Sequence, residues 1–453
     1  MIDLLRTCWA ALGGDAGAPE GLEVQRRDTW LGGPLDVDGL AVGATGAALL
    51  AAAELAAARG HRRPAVAVSA EHVALSFRSE RHLLVGGEPA GAGFAPLSRL
   101  VRCADGWTRT HANYPHHAAA LGRALGIEPG TDPAALEAAA RERTAEGLEQ
   151  AVVEAGGCAA ALRTAAEWAE HPAGRAGALV QHGDPRPGPP LAPAGAPERP
   201  ATGIRVLDLT RVIAGPVAGR TLAALGADVL RIDPPGLPEL PQAHLDTGAG
   251  KRSAVLDLAA AEPREALLAG ADVLLTGYRP GALERFGLGA AELAERHPQL
   301  VQVSLGAWGP DGPWAGRRGF DSLVQVASGV AAACAGEDGT PGVLPAQALD
   351  HATGHLMAAA ALRGLAARAR EEAFAPARLA LARTAAALLA APPPARVSTD
   401  ATGAAGADRH RVPFGDISLI APPGALDGVP LRWEHGPRPF GGDAPRWGPG
   451  GLH

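Results

Sequence analysis

The sequence predicts an α/β protein: a parallel sheet with flanking helices, joined to a smaller α+β domain. Three observations carry this expectation. Beyond residue 200, short apolar runs alternate with helical segments, the pattern of strand-helix-strand units. Before residue 184, one long Ala/Leu helix, a strand, a glycine-rich stretch and several short helices follow one another without that regularity. Between the two lies a proline-, glycine- and alanine-rich segment, 184–200, with no hydrophobic period.

In chain order, residues 39–59 read as an Ala/Leu helix and 65–68 as a strand. The stretch Gly86-Gly87-Glu88-Pro89-Ala90-Gly91-Ala92-Gly93 reads as a flexible loop, and 133–170 as short helices. After the linker, 204–209 is a short buried strand, and 216–225 a helix closed by Gly226, with Pro216 suited to the first turn. Strands follow at 228–232, 271–275 and 300–304. A second proline-rich stretch, 391–394, opens a tail whose Trp433 and Trp447 predict packing on a domain surface. The expected divisions are therefore 1–183, a linker at 184–200, an α/β domain at 201–390 and a tail at 391–453. A faint repeat sets Thr45-Gly46 and its helix against Thr353-Gly354 and its helix, placing Val42 or Gly43 opposite Asp350.

Composition narrows the partners. A chain of 453 residues with 47% hydrophobic and 4% aromatic residues builds a large aliphatic core, and its formal charge of −7 carries no basic block for nucleic acid. An anionic ligand must be held by local cations. Cys8, Cys103, Cys158 and Cys334 lack metal-site or disulfide-framework spacing, which predicts a reducing compartment. No stretch of membrane-spanning length is free of charge, and no signal-type segment opens the chain, so a soluble, cytoplasmic protein is expected.

Chemistry concentrates in a few segments. In Asp208-Leu209-Thr210-Arg211-Val212-Ile213-Ala214-Gly215-Pro216, a strand ends, a loop offers Arg211, and a helix begins. Such a turn suits an anion at a helix N-terminus, or is simply a tight turn with a surface arginine. Gly250-Lys251-Arg252-Ser253 sets two cations before a strand: phosphate ligands or a solvated pair. Thr276-Gly277-Tyr278-Arg279-Pro280-Gly281 puts an aromatic and an arginine at a strand's carboxyl end, where such sheets bind ligands. Finally, Asp350 in Leu349-Asp350-His351-Ala352-Thr353-Gly354 stands at the mouth of an apolar helix, either as a cap or as a nucleophile. His351 and His355 share a helix face as two metal ligands would, but no third ligand is evident and no metal is expected.

Taken together, Val206-Leu207-Asp208-Leu209-Thr210-Arg211, Ala214-Gly215-Pro216, Leu225-Gly226-Ala227-Asp228-Val229, Gly250-Lys251-Arg252-Ser253, Tyr278-Arg279-Pro280-Gly281 and Gly319-Phe320-Asp321 resemble the family III coenzyme A transferases and the related α-methylacyl-CoA racemases. Ala104-Asp105-Gly106-Trp107 and Thr164-Ala165-Ala166-Glu167-Trp168 resemble the later half of the same family, placed first in this chain as a permuted or partly duplicated arrangement.

The resemblance implies a Rossmann-like sheet and a CoA-transferase acting through Asp350, with coenzyme A or acyl-CoA as substrate and no permanently bound cofactor. It implies that Arg211, Arg231, Lys251, Arg252, Tyr278 and Arg279 contact coenzyme A, and that Gly86, Gly87, Gly91 and Gly93 form a mobile loop over the site. It further implies acyl-CoA and carboxylic acid partners and an interlinked homodimer, although the rearranged order could let one chain supply both halves of the site. Racemases of the group are similar to a pattern with histidine where Phe320 stands, and phenylalanine moves no proton. Transfer is therefore the leading expectation, with acyl-CoA racemisation or isomerisation and an inactive CoA-binding homologue as its alternatives.

Overall fold

The computed structural model describes residues 2–26, 28–91, 93–128, 132–175, 177–394 and 404–448. Its central sheet has seven strands, six of them parallel. Starting at one edge, these are Lys251–Val255, Asp228–Asp233, Arg205–Leu209, Val273–Thr276, Val301–Gly306 and Ala377–Ala380. Counted from Arg205–Leu209 along the chain, that order is 3-2-1-4-5-6, the doubly wound Rossmann arrangement. Val180–His182 closes the far edge antiparallel. Burial on both faces explains why these strands are near-continuous Val/Leu/Ile runs.

A smaller α+β unit has its own core. The antiparallel strands Leu100–Arg102, Trp107–Thr110 and Ala159–Ala161 carry helices Pro115–Leu125, Pro133–Arg141 and Ala145–Glu154 around Leu97, Val101, Leu121, Leu136, Leu148 and Val152. The main core, by contrast, runs unbroken from Leu4 through Leu83 into residues 201–388. The proline-rich segment 184–200 is thus a chain crossing and not the edge of a core, and residues 2–83 belong physically with the large sheet. The C-terminal residues are woven in as well. Ile417–Ile420 pairs with Leu84–Val85, and Ala425–Leu426 pairs with Val66–Ser69. Trp433 is buried, donating its Nε1–H to the Arg220 carbonyl at 2.9 Å.

The repeat is real in the structure, with a different register from the one expected. Helices Val37–Ala58 and Ala348–Ala369 are both 22 residues long, pack against one another, and lead into strands Val66–Ser69 and Ala377–Ala380. Helices then start at Ala70 and Leu381, so every boundary is displaced by 311 residues. Gly39 therefore stands opposite Asp350, and neither Val42 nor Gly43 does. Alanine-rich helices resemble themselves at several offsets, and only their ends fix the register. Val37–Ala58 is also long and apolar enough to cross a membrane by length and composition, but most of it lies inside the protein core.

Candidate active site

Helix Ala348–Ala369 begins after Gln347, so Asp350 lies within its first turn and is not the cap residue. Gly354, one turn on, lets the neighbouring helix Ala214–Ala224 approach; a Cβ there would lie 2.3 Å from the Ala214 carbonyl oxygen. This contact sets the amino end of helix Ala214–Ala224 beside the first turn that carries Asp350. The Asp350 side chain is nearly buried, at 6% exposure, and lines a cavity of about 330 Å³.

Asp321 lies directly against it, fully buried at the start of helix Asp321–Ala327. Its Oδ2 accepts the Asp350 backbone N–H at 2.9 Å, and its Oδ1 accepts from the Gln325 side chain. Burial, and then the charge of Asp321, push the Asp350 carboxyl well above the ordinary carboxylate range. Burial raises Asp321 too, so the pair holds a proton to higher pH than exposed carboxyls would. A nucleophile must be ionised, so acylation of Asp350 should go on accelerating as pH rises above the ordinary carboxylate range, where an exposed aspartate would already be fully ionised. Stopped-flow acylation rates at constant thioester concentration check this; a flat profile above that range would contradict it.

The opposite wall of the cavity comes from the N-terminal third of the chain. Gly91, Gly93, Phe94, His111, Asn113 and Tyr114 face Val212, Ile213, Leu240, Phe320 and Asp350. His111 stacks face to face on Phe320, with ring centroids 3.6 Å apart. Burial drives its imidazole down to about 3, which keeps it neutral. Gln242 donates to the Gly91 carbonyl at 2.6 Å, and Asn113 to that of Gly93 at 3.0 Å, which ties this part of the loop over the cavity. Gly86 and Gly87 are not there. They form the turn of the hairpin Leu84–Val85/Glu88–Pro89, and the Gly86 N–H donates to the Asp416 carbonyl at 2.8 Å. Their positive φ values, 61° and 86°, serve that turn.

The expected coenzyme ligands divide sharply. Arg211 and Arg279 lie at the carboxyl ends of strands Arg205–Leu209 and Val273–Thr276, the two strands that flank the reversal of the sheet order. Arg211 sits over the Tyr114 ring and donates to the Pro238 carbonyl. Arg279 is exposed and, with half-buried Tyr278, lines a second cavity of about 280 Å³.

Arg231, Lys251 and Arg252 line neither of these cavities. Arg231 is 1% exposed and is held by Asp233 at 2.7 and 2.8 Å and by Glu239 at 3.2 Å. Lys251 is 2% exposed, its Nζ donating to Asp208 at 2.9 Å and to the Pro216 carbonyl at 2.7 Å. Arg252 pairs with Asp228 at the amino end of the sheet, beneath Trp447. Arg231 and Lys251 form buried ion pairs that hold the fold, and Arg252 forms a partly exposed one. In sequence they resemble phosphate ligands because both roles place a cation beside a strand.

Sequence reading missed the hub of the site, Glu239. Its carboxylate accepts from the Tyr114 hydroxyl at 2.6 Å and from the Val212 N–H at 2.9 Å, and it contacts Arg231. Burial alone would raise it, but Arg231 and Arg211 outweigh burial and hold it down to about 2. Val212 adopts φ +71°, a costly conformation for a β-branched residue, and the bond to Glu239 helps hold it there. His351 and His355 stack on Phe77 at 5.1 and 5.8 Å. Among the described residues, no group of three or more His, Cys, Asp or Glu is placed to hold a metal ion.

A doubly wound sheet with a buried carboxylate pair at its crevice defines the general class. Residues 202–417 match the model of CoA-transferase family III. It is 36% identical over 194 residues to Rv3272 of Mycobacterium tuberculosis, a probable fatty acyl-CoA transferase, covering 39% of this chain and 49% of that one. It is 33% identical over 190 residues to succinyl-CoA:glutarate CoA-transferase of Mus musculus, covering 38% and 43%. Among solved structures, the orthorhombic crystal form of Rv3272 aligns with a TM-score of 0.40 at 36% identity, covering 42% of this chain and 56% of that one. The chain thus spans about half the length of the curated relatives it matches.

Proposed function

We propose that the protein is an enzyme that transfers coenzyme A from an acyl-CoA thioester to a carboxylic acid, with Asp350 as the covalent nucleophile. The observation that carries this reading is the Asp350 carboxyl, nearly buried, bonded through its backbone to Asp321 and facing a roofed cavity beside the sheet's crevice.

The ionised Asp350 oxygen attacks the donor thioester carbonyl; the C–S bond breaks, giving a mixed anhydride and CoA thiolate. The thiolate attacks the aspartyl carbonyl, releasing the donor's carboxylate and leaving an aspartyl-CoA thioester. The acceptor carboxylate then repeats both steps in reverse order, regenerating Asp350. The amino end of helix Ala214–Ala224 offers its positive dipole to the oxyanions. Gly91, Gly93 and Phe94 shield the intermediates from water.

Arg211 and Arg279, with Tyr278 beside them, are proposed to hold the coenzyme's phosphates and adenine at the carboxyl ends of the strands. Since both walls of the cavity come from one chain, the reading is of a site completed without a second copy, even where a homodimer forms. The free thiols at the four cysteines suit a reducing, cytoplasmic setting.

Incubation with an acyl-CoA and a different, isotope-labelled free acid should yield the labelled acid as its CoA thioester, followed by chromatography and mass spectrometry. Hydrolysis alone, or no reaction, would contradict transfer. One observation favours a second reading: His111 brings an imidazole against Phe320 inside the cavity. Deuterium entering the α-carbon of a chiral acyl-CoA would support racemisation in place of transfer.

A further inference from the structure

The cavity at Asp350 carries a second kind of information in its walls. Its apolar lining is Phe94, Tyr114, Val212, Ile213, Leu240 and Phe320. The charged groups that share this lining are mostly acidic: Glu80 and Asp246 in addition to Asp321 and Asp350. Glu80 Oε2 and Asp246 Oδ1 are both buried without a hydrogen-bond partner among the described residues. Asp246 is committed on its other oxygen, to Ser79 at 2.9 Å and Arg220 at 3.5 Å. Burial and the charge of Asp246 raise the Glu80 carboxyl to about 7, so its full negative charge, and its repulsion of a second carboxylate, is present only above that pH. Arg81 is the one cation among the described lining residues, and its Nε faces Glu80 at 3.6 Å. Arg109 lies behind, over the Phe94 ring at 4.7 Å.

We infer that the acids handled at Asp350 are monocarboxylic, with a neutral, apolar body, and that Glu80 and Asp246 turn away acyl groups carrying a second carboxylate. The inference rests on the transfer reading and adds the substrate class. An apolar acyl chain is desolvated against the aromatic and aliphatic wall. A free terminal carboxylate in the same space meets four carboxyl groups against one lining cation, Arg81, which already faces Glu80, and such like-charge contacts discriminate between acyl groups.

The test offers the full chain hexanoyl-CoA, benzoyl-CoA, succinyl-CoA or glutaryl-CoA at equal concentration, with hydroxylamine, and reads the rate of hydroxamate formation at Asp350. The neutral pair should label at least about ten-fold faster than the dicarboxylic pair, a difference near 1.4 kcal/mol. Glu80→Gln should narrow that ratio. Succinyl- or glutaryl-CoA labelling as fast as the neutral donors would overturn the inference and leave transfer standing. No hydroxamate from any of the four, with CoA binding shown by calorimetry, would overturn the transfer reading, and the inference with it.

Discussion

Replacing Asp350 by alanine lowers turnover by about 10⁴-fold or more, while the protein still folds and still binds CoA. The size follows from the role: a covalent nucleophile has no substitute at its position, and residual rate comes from binding and oxyanion contacts alone. Preserved folding follows from the environment. Asp350 and Asp321 are like charges crowded in a buried site, so removing one relieves repulsion. Stability of Asp350→Ala should therefore equal or exceed that of the parent, as groups poised for chemistry are held against their own preference. Asp350→Asn provides the isosteric control. Urea unfolding and CoA titration of both variants check the claim, and a variant that retained even a tenth of the activity would contradict it.

Lys251→Met destabilises the fold by roughly 3–5 kcal/mol, because it leaves the fully buried Asp208 carboxylate without its cation. Burial lowers the Lys251 ammonium to about 8, and Asp208, opposing this, keeps it charged near neutrality. The pair also shapes the site. Asp208 accepts from the Thr210 N–H and hydroxyl, and Lys251 grips the Pro216 carbonyl, so together they brace the turn 210–216. Gly219 is required above them, since a Cβ there would lie 2.5 Å from Asp208 Oδ2. Replacing both partners, as in Lys251→Met with Asp208→Leu, should recover much of the loss measured by denaturant unfolding. A lysine that bound phosphate would behave differently: its loss would weaken CoA binding and leave stability unchanged.

Four of the six parallel strands, Arg205–Leu209, Asp228–Asp233, Val273–Thr276 and Val301–Gly306, were legible because each is a short apolar run, a local signal, whereas their order in the sheet was not. The place of Asp350 at the start of a helix was legible for the same kind of reason: its neighbours in sequence are its neighbours in the helix. What sequence could not reveal depends on contacts between distant segments. Arg231 and Lys251 are indistinguishable from phosphate ligands until Asp233, Glu239 and Asp208 are seen closing on them. Glu239 itself, in Leu237-Pro238-Glu239-Leu240, reads as an ordinary loop acid; its importance comes from Tyr114, 125 residues away. Gly86 and Gly87 follow the same rule, since their partner strand lies near residue 417.

Peptide mass spectrometry of the full chain, incubated with an apolar acyl-CoA and quenched with hydroxylamine, tests the central claim most directly. The peptide containing Asp350 should gain a hydroxamate at that residue. An unmodified Asp350, with CoA demonstrably bound, would contradict the covalent route.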